Sequence, residues 1–195
     1  MVGLLLPDEG SITVDGIDIL ERPLEAKSRI GFVPDNPNLY DKLTGVEYIG
    51  FMADVFGVPE ADRLERTETL MELFEMESNL ADPIDSYSHG MRQKIALMGA
   101  LVHDPWALVM DEPMSGLDPK SSFRFKELLR ERCDAGKLVF LSTHVLDVAE
   151  RICDRVAIID DGRLVAEGTM EELREQAGQS QGVTAADLGA VAAPR

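Results

Sequence analysis

Apolar and polar positions alternate first with the period of strands and then with the period of helices. Ser11-Ile12-Thr13-Val14 and Ile17-Asp18-Ile19 flank Asp15-Gly16, a pair suited to positive φ, so the pattern predicts a short antiparallel hairpin. Ile30-Gly31-Phe32-Val33 reads as a further strand, stopped by Pro34. From Thr44 to about Asp85 the period becomes helical, with Tyr48, Met52, Val55 and Phe56 on one stripe and Leu70, Leu73 and Phe74 on another. Met91, Ile95, Met98 and Val102 continue at the same spacing.

The four residues Ala107-Leu108-Val109-Met110 are apolar on both faces, as in a buried parallel strand, and lead into Asp111-Glu112-Pro113. Asp118 followed by Pro119 supplies an N-cap and a first helical residue. Phe125, Leu128, Leu129 and Cys133 then form a buried stripe, and Gly136 closes the helix. A second buried strand, Leu138-Val139-Phe140-Leu141, runs into Ser142-Thr143-His144, so strand, helix and strand make a right-handed parallel crossover. Val156 to Ile159 and Leu164 to Ala166 flank Asp160-Asp161-Gly162 as another hairpin, and Thr169 with Glu172 forms a capping box for a helix ending near Ala177. Residues 178–195 are rich in Gly, Ala and Gln and are expected to be a mobile tail.

Length and composition narrow the class. A chain of 195 residues suffices for one α/β domain with an inserted subdomain, and 45% apolar with 28% charged residues fits a folded, soluble protein. The longest apolar stretches fall far short of the roughly 20 residues that cross a bilayer, and the start carries no basic segment of a secretory signal. Cys133 and Cys153 form no framework or metal spacing; inert packing in a reducing cytoplasm is expected for both. A net charge of -17 argues against direct binding to nucleic acid, and it suits either a well-solvated surface or a high-salt cytoplasm.

The candidate chemistry lies in four segments. Adjacent carboxylates Asp111 and Glu112 at a strand tip suit phosphoryl transfer to water, in which one group holds Mg²⁺ and another orients or deprotonates the attacking water. As an isolated pair they would be a weak signal, since acidic dipeptides after strands are common. The order in which Ser88-His89-Gly90-Met91-Arg92-Gln93 precedes that strand, Ser115-Gly116-Leu117-Asp118 follows it, and Ser142-Thr143-His144 ends the next strand is far more specific.

In these motifs the chain resembles the nucleotide-binding subunit of ABC transporters, from Val2 to about Ala177. The resemblance implies a P-loop NTPase-like (RecA-like) α/β fold: a mostly parallel sheet flanked by helices, with an inserted helical subdomain and a small antiparallel hairpin region. It divides the chain into a partial β region with the Q-loop (1–43), a helical subdomain with the signature motif (44–103), a core with Walker B, D-loop and H-loop (104–177), and the tail (178–195). Asp111 corresponds to the metal-side aspartate, Glu112 to the catalytic glutamate, and His144 to the switch histidine. Ser88, Gly90 and Gln93 match the signature loop, with His89 where glycine is usual, and Asp118 closes the D-loop. Ser88 is expected to cap a helix beginning near Gly90, so that a hydroxyl, free N–H groups and the helix dipole face a γ-phosphate. Asp35 stands at the Q-loop glutamine position, where an ionised carboxylate accepts from water or meets Mg²⁺ but cannot donate. Neither His89 nor His103 is assigned a role.

The implied cofactors are ATP and Mg²⁺, and the implied partners are a second ATPase subunit, closing head to tail around ATP, and a transmembrane permease of exporter type, which places the chain peripherally at the cytoplasmic face of the membrane. One part of the pattern is missing. Gly136-Lys137 is the only Gly-Lys pair, and it fits no phosphate-binding loop, because position 131 is Glu and position 138 is Leu. Losing about four charge-assisted hydrogen bonds at roughly 1.5–3 kcal/mol each removes at least about 6 kcal/mol, or about ten-thousandfold in affinity. The chain alone is therefore expected to bind and hydrolyse ATP poorly. A central strand and its helix are expected to be missing with that loop, which would expose an apolar sheet edge. The alternatives are a non-catalytic partner that completes an ATP site in trans, and a soluble ABC-type ATPase acting on ribosomes or in DNA repair.

Overall fold

The computed structural model describes residues 2–179 and 189–193, with side-chain surroundings given up to residue 176. The first hairpin forms as β1 (Thr13–Val14) and β2 (Ile17–Asp18), and Asp15 and Gly16 turn it at φ 51 and 73. A short helix, α1 (Pro23–Ser28), which the apolar pattern did not indicate, leads into β3 (Ile30–Val33).

Next comes the helical region, with α2 (Gly45–Val55), α3 (Glu60–Phe74) and α4 (His89–Leu101). Thr44 starts α2 with a full capping box: its backbone N–H donates to the Glu47 carboxylate at 2.8 Å, and the Glu47 N–H donates to the Thr44 hydroxyl at 3.2 Å. The stripe of α2 is shifted from the expected one. Tyr48, Ile49 and Ala53 are buried, whereas Val55 is 60% exposed, because the face is set by contact with α4 rather than by apolar character alone. Helix α4 is buried continuously from Gln93 to Leu101, which is why it reads as apolar nearly all round.

β4 (Ala107–Asp111), α5 (Pro119–Asp134) and β5 (Leu138–Thr143) make the expected parallel crossover. Side chains on β4 pack alternately on two cores. Ala107 and Val109 join Val14, Ile17, Ile19 and Ala26 beneath the hairpin, while Leu108 and Met110 join the larger core under the helices. Burial on both faces explains the uninterrupted apolar run. In the larger core the rings of Phe74 and Phe125 stand 5.7 Å apart, fixing α3 to α5.

The remaining elements are α6 (Leu146–Ile152), β6 (Arg155–Asp160), β7 (Arg163–Gly168), α7 (Met170–Gln179) and β8 (Gly189–Ala193). β6 and β7 form the second expected hairpin, with Asp161 and Gly162 at φ 44 and 73, and Thr169 and Glu172 cap α7 through 2.7 and 3.2 Å bonds. The six-stranded sheet has the order β3-β4-β5-β8-β6-β7.

One expectation needs correction here. Part of the segment read as a mobile tail is ordered: α7 runs to Gln179, and β8 lies antiparallel between β5 and β6, pairing Thr143 with Ala190 and Ile158 with Ala190. The rest of that segment, 180–188 and 194–195, lies outside the described residues. The side of β5 away from β4 is paired with β8, which satisfies its backbone groups. Small residues without periodic apolar character gave no strand signal there, because the slot between two existing strands, not side-chain propensity, favours pairing.

Candidate functional site

The carboxyl ends of β3, β4 and β5 lie side by side, with Val33 opposite Met110 and Asp111 opposite Ser142. This register brings the carboxylates to the Ser142-Thr143-His144 segment. The Ser142 hydroxyl donates to Asp111 Oδ1 at 2.5 Å, and the Glu112 N–H donates to the Ser142 carbonyl at 3.0 Å. Thr143 Oγ1 donates to Glu112 Oε2 at 3.0 Å, and the His144 N–H donates to Oε1 at 2.7 Å. His144 Nδ1 also lies 2.6 Å from the same oxygen.

Glu112 is thus gripped through both carboxylate oxygens while its side chain is only 22% exposed; the His144 side chain is 80% exposed. Its backbone sits at φ 45, a left-handed conformation that costs a non-glycine residue on the order of 1–3 kcal/mol and is retained where surroundings over-determine it. The bond from the Glu112 N–H to the Ser142 carbonyl and those that Thr143 and His144 donate to its carboxylate supply that determination. A held carboxylate beside an exposed imidazole suits orienting or deprotonating a water that neither group binds covalently.

Asp111 is exposed at the strand tip, free to meet a cation from the solvent side. No group of three or more His, Cys, Asp or Glu side chains poised to hold a metal occurs among the described residues. The exposed Asp111 carboxylate suits Mg²⁺, which keeps several waters and takes one or two carboxylates together with phosphate oxygens. Asp35, just past β3, is exposed and accepts a 2.9 Å hydrogen bond from Asn36. Among the described residues it makes no hydrogen bond to Asp111 or Glu112.

The signature-like loop stands over the turn that follows Glu112. Ser88 caps α4, its hydroxyl accepting from the Met91 N–H at 3.3 Å, and the side chain is otherwise exposed. Gly90 approaches the backbone of Gly116 so closely that a Cβ there would lie 2.4 Å from the Gly116 carbonyl oxygen. Gln93 is 1% exposed; its Nε2 donates to the Pro113 carbonyl at 3.3 Å and its Oε1 has no partner. Asn36, Asn38, His89, Arg92 and Gln93 border a cleft of about 220 Å³ at this junction.

Asp118 caps α5, accepting from the Ser121 N–H at 2.9 Å and the Ser121 hydroxyl at 2.7 Å. It also receives Lys94 Nζ at 2.7 Å. Together, the Lys94 ammonium first and the two Ser121 donors next, these hold the Asp118 carboxyl well below the usual carboxylate range. Lys94, Ser142 and Thr143 were not among the candidate side chains. Lys94 did leave a signal: a lysine that opens an apolar run through Leu101 must find a counter-charge when the run is buried. His103 is a packing residue, stacked on Phe56 at 3.6 Å between ring centroids, and burial pushes its pKa down to about 4.

The Gly90 contact makes a direct prediction. Gly90→Ala should cost about 1–3 kcal/mol, because the new methyl meets backbone rather than a movable side chain. Chemical denaturation of the variant checks this, and an unchanged midpoint would contradict the contact.

The chain and its fold have counterparts in known proteins. The ABC transporter family profile matches residues 1–115. The ABC transporter ATP-binding protein NatA of Bacillus subtilis (strain 168) is 35% identical over 176 residues, spanning 90% of this chain and 72% of that protein. Nod factor export ATP-binding protein I of Ralstonia nicotianae is 36% identical over 173 residues, 89% of this chain and 54% of its own length. The chain thus spans about half the length of several curated relatives that it matches. A solved ATP-binding subunit of an ABC transporter superposes with a TM-score of 0.86 at 32% identity, covering 93% of this chain and 75% of that one. A solved ATP-binding cassette, dimeric and bound to ADP and Pi, shares the fold with a TM-score of 0.75 at 24% identity over 87% of this chain and 77% of its own.

Proposed function

Because the chain belongs to the ABC transporter ATP-binding family, we propose that it is the ATP-hydrolysing side of a transporter, coupling nucleotide turnover to a membrane permease. The observation that carries this reading is the convergence of Asp111, Glu112 and His144 at adjoining strand ends.

In this reading ATP and Mg²⁺ are the cofactors. Bound MgATP supplies the phosphoryl group and the charge neutralisation for its transfer. Asp111, oriented by the Ser142 hydroxyl, is the carboxylate that holds Mg²⁺, and Asp35 is a second acceptor at the rim. Glu112 orients the attacking water and takes its proton, while His144 offers its exposed ring to the phosphate side. Ser88 and the free N–H groups that open α4 face the γ-phosphate of a second ATPase subunit, with Gly90 and Gln93 setting the loop against the Asp118 turn. This assignment keeps the division into 1–43, 44–103 and 104–177, with the signature motif on the helical part and the carboxylates on the core.

The β- and γ-phosphates also need a glycine-rich loop with a lysine, and these 195 residues contain none. Titration of the isolated chain with MgATP should give a dissociation constant of about 10 mM or weaker, four decades above a micromolar site. Micromolar binding would overturn that expectation. Among the described residues no helix is long and apolar enough to cross a membrane. Co-purification with a membrane permease supports the transporter reading; co-sedimentation with ribosomes instead would favour a soluble relative.

A further inference from the structure

Two thiols with no part in the proposed chemistry lie on neighbouring helices that leave the site and pack against the same core. Cys133 lies in the last turn of α5, the helix capped by Asp118, and Cys153 caps the end of α6, which begins two residues after His144. The helices pack on each other, and both cysteines are half-buried at the rim of the same core. An ion pair ties the two segments that carry them: Arg130 Nη1 meets Asp154 Oδ1 at 2.9 Å. Arg130 lies one turn before Cys133 on the same helix face, and Asp154 directly follows Cys153.

We propose that Cys133 and Cys153 form a reversible disulfide within one chain, closing a redox-sensitive brace between α5 and α6. The oxidant is a small-molecule disulfide such as oxidised glutathione. One cysteine thiolate attacks it, forming a mixed disulfide and expelling one glutathione thiolate. The second cysteine thiolate attacks the protein sulfur of that intermediate and expels the other. The net change is two protein thiols oxidised to one disulfide and one glutathione disulfide reduced to two thiols, the two protons lost by the protein thiols ending on the two glutathione thiols.

The electrostatics fit a slow switch. Burial raises both thiols, that of Cys153 to about 12, and the neighbouring Asp154 carboxylate raises each further. For Cys153 the Cys133 thiol is the smallest of the three causes. Thiolate is therefore scarce at neutral pH, and its fraction grows roughly tenfold for each pH unit below the thiol pKa.

The test treats the reduced, folded chain with oxidised glutathione at mildly alkaline pH, quenches with acid and alkylating agent, and maps peptides by mass spectrometry without reduction. The expected result is a Cys133–Cys153 linked peptide from monomeric protein, lighter by two hydrogens and restored by dithiol reductant. Cys133→Ser and Cys153→Ser should each lack the link and instead carry glutathione on the remaining cysteine. Formation should speed up with pH and should not require denaturant. Two cysteines that stay alkylatable, separate glutathione adducts on each without a link, links only between chains, or a link that appears only in unfolding urea would each overturn the proposal. Should a serine variant fail to fold, linkage in the wild-type chain decides by itself.

Discussion

Glu112→Gln, placed in a form of the subunit that carries a phosphate-binding loop, should lower ATP turnover by the assembled transporter roughly 10²–10⁴-fold, the range associated with losing a positioned general base. The substitution preserves shape. Glutamine keeps one acceptor oxygen for the His144 N–H, and its amide can donate to the Thr143 hydroxyl, so the left-handed backbone at φ 45 remains supported. What disappears is the negative charge and the ability to take a proton. The loss should therefore appear in kcat with little change in KM, since the interaction is made in the transition state. Steady-state kinetics beside a thermal unfolding curve separate this from simple destabilisation. Turnover that survives in a folded Glu112→Gln protein would move the base elsewhere.

The largest effect on stability is expected from Asp118→Ala. Two contributions vanish together. The Ser121 N–H loses its cap, worth about 1 kcal/mol. Lys94, whose side chain is only 11% exposed, loses the carboxylate at 2.7 Å. Breaking a fully buried pair costs about 3–5 kcal/mol, but the Asp118 side chain is 45% exposed and water screens it, so a total of about 3 kcal/mol is expected. The pH dependence follows from the direction of the shift. Because the folded carboxyl is held below its unfolded value, its contribution is complete above the ordinary range near pH 4 and is lost as pH falls below it. Denaturant titrations should show the gap between wild type and Asp118→Ala at neutral pH narrowing below about pH 4. A gap that stays constant through this window would assign the loss to packing instead of charge.

Local patterns carried much of this architecture, and they failed where the cause was distant. Asp118-Pro119, Asp15-Gly16 and Thr169 with Glu172 each encode a cap or turn in adjacent residues, and each forms as the chain spells it. The apolar run at Ala107–Met110 also announced a strand covered on both faces. Val55 was misplaced because helical spacing defines a stripe but not which side meets α4. β8 gave no signal because its reason for being a strand is the pair of edges offered by β5 and β6, some 30 to 50 residues earlier.

The candidate site divides in the same way. Asp111, Glu112 and His144 were legible from their positions after strands, and the register of β4 against β5 brings them together. The links that hold them, Ser142 to Asp111 and Thr143 to Glu112, span 31 residues and depend on that register. Likewise the approach of Gly90 to Gly116, and of Lys94 to Asp118, joins loops from different elements and becomes visible only when α4 is seated against the turn after β4.

Photolabelling tests the shared triphosphate site most directly. The assembled transporter is illuminated with Mg²⁺ and an ATP analogue bearing a photoreactive group on its γ-phosphate, and labelled peptides are mapped by mass spectrometry. Label should fall on the peptides containing Glu112, His144 and Ser88 and be displaced by unmodified ATP. Label confined to other peptides, or undiminished by ATP, would contradict the assignment of these residues to one nucleotide site.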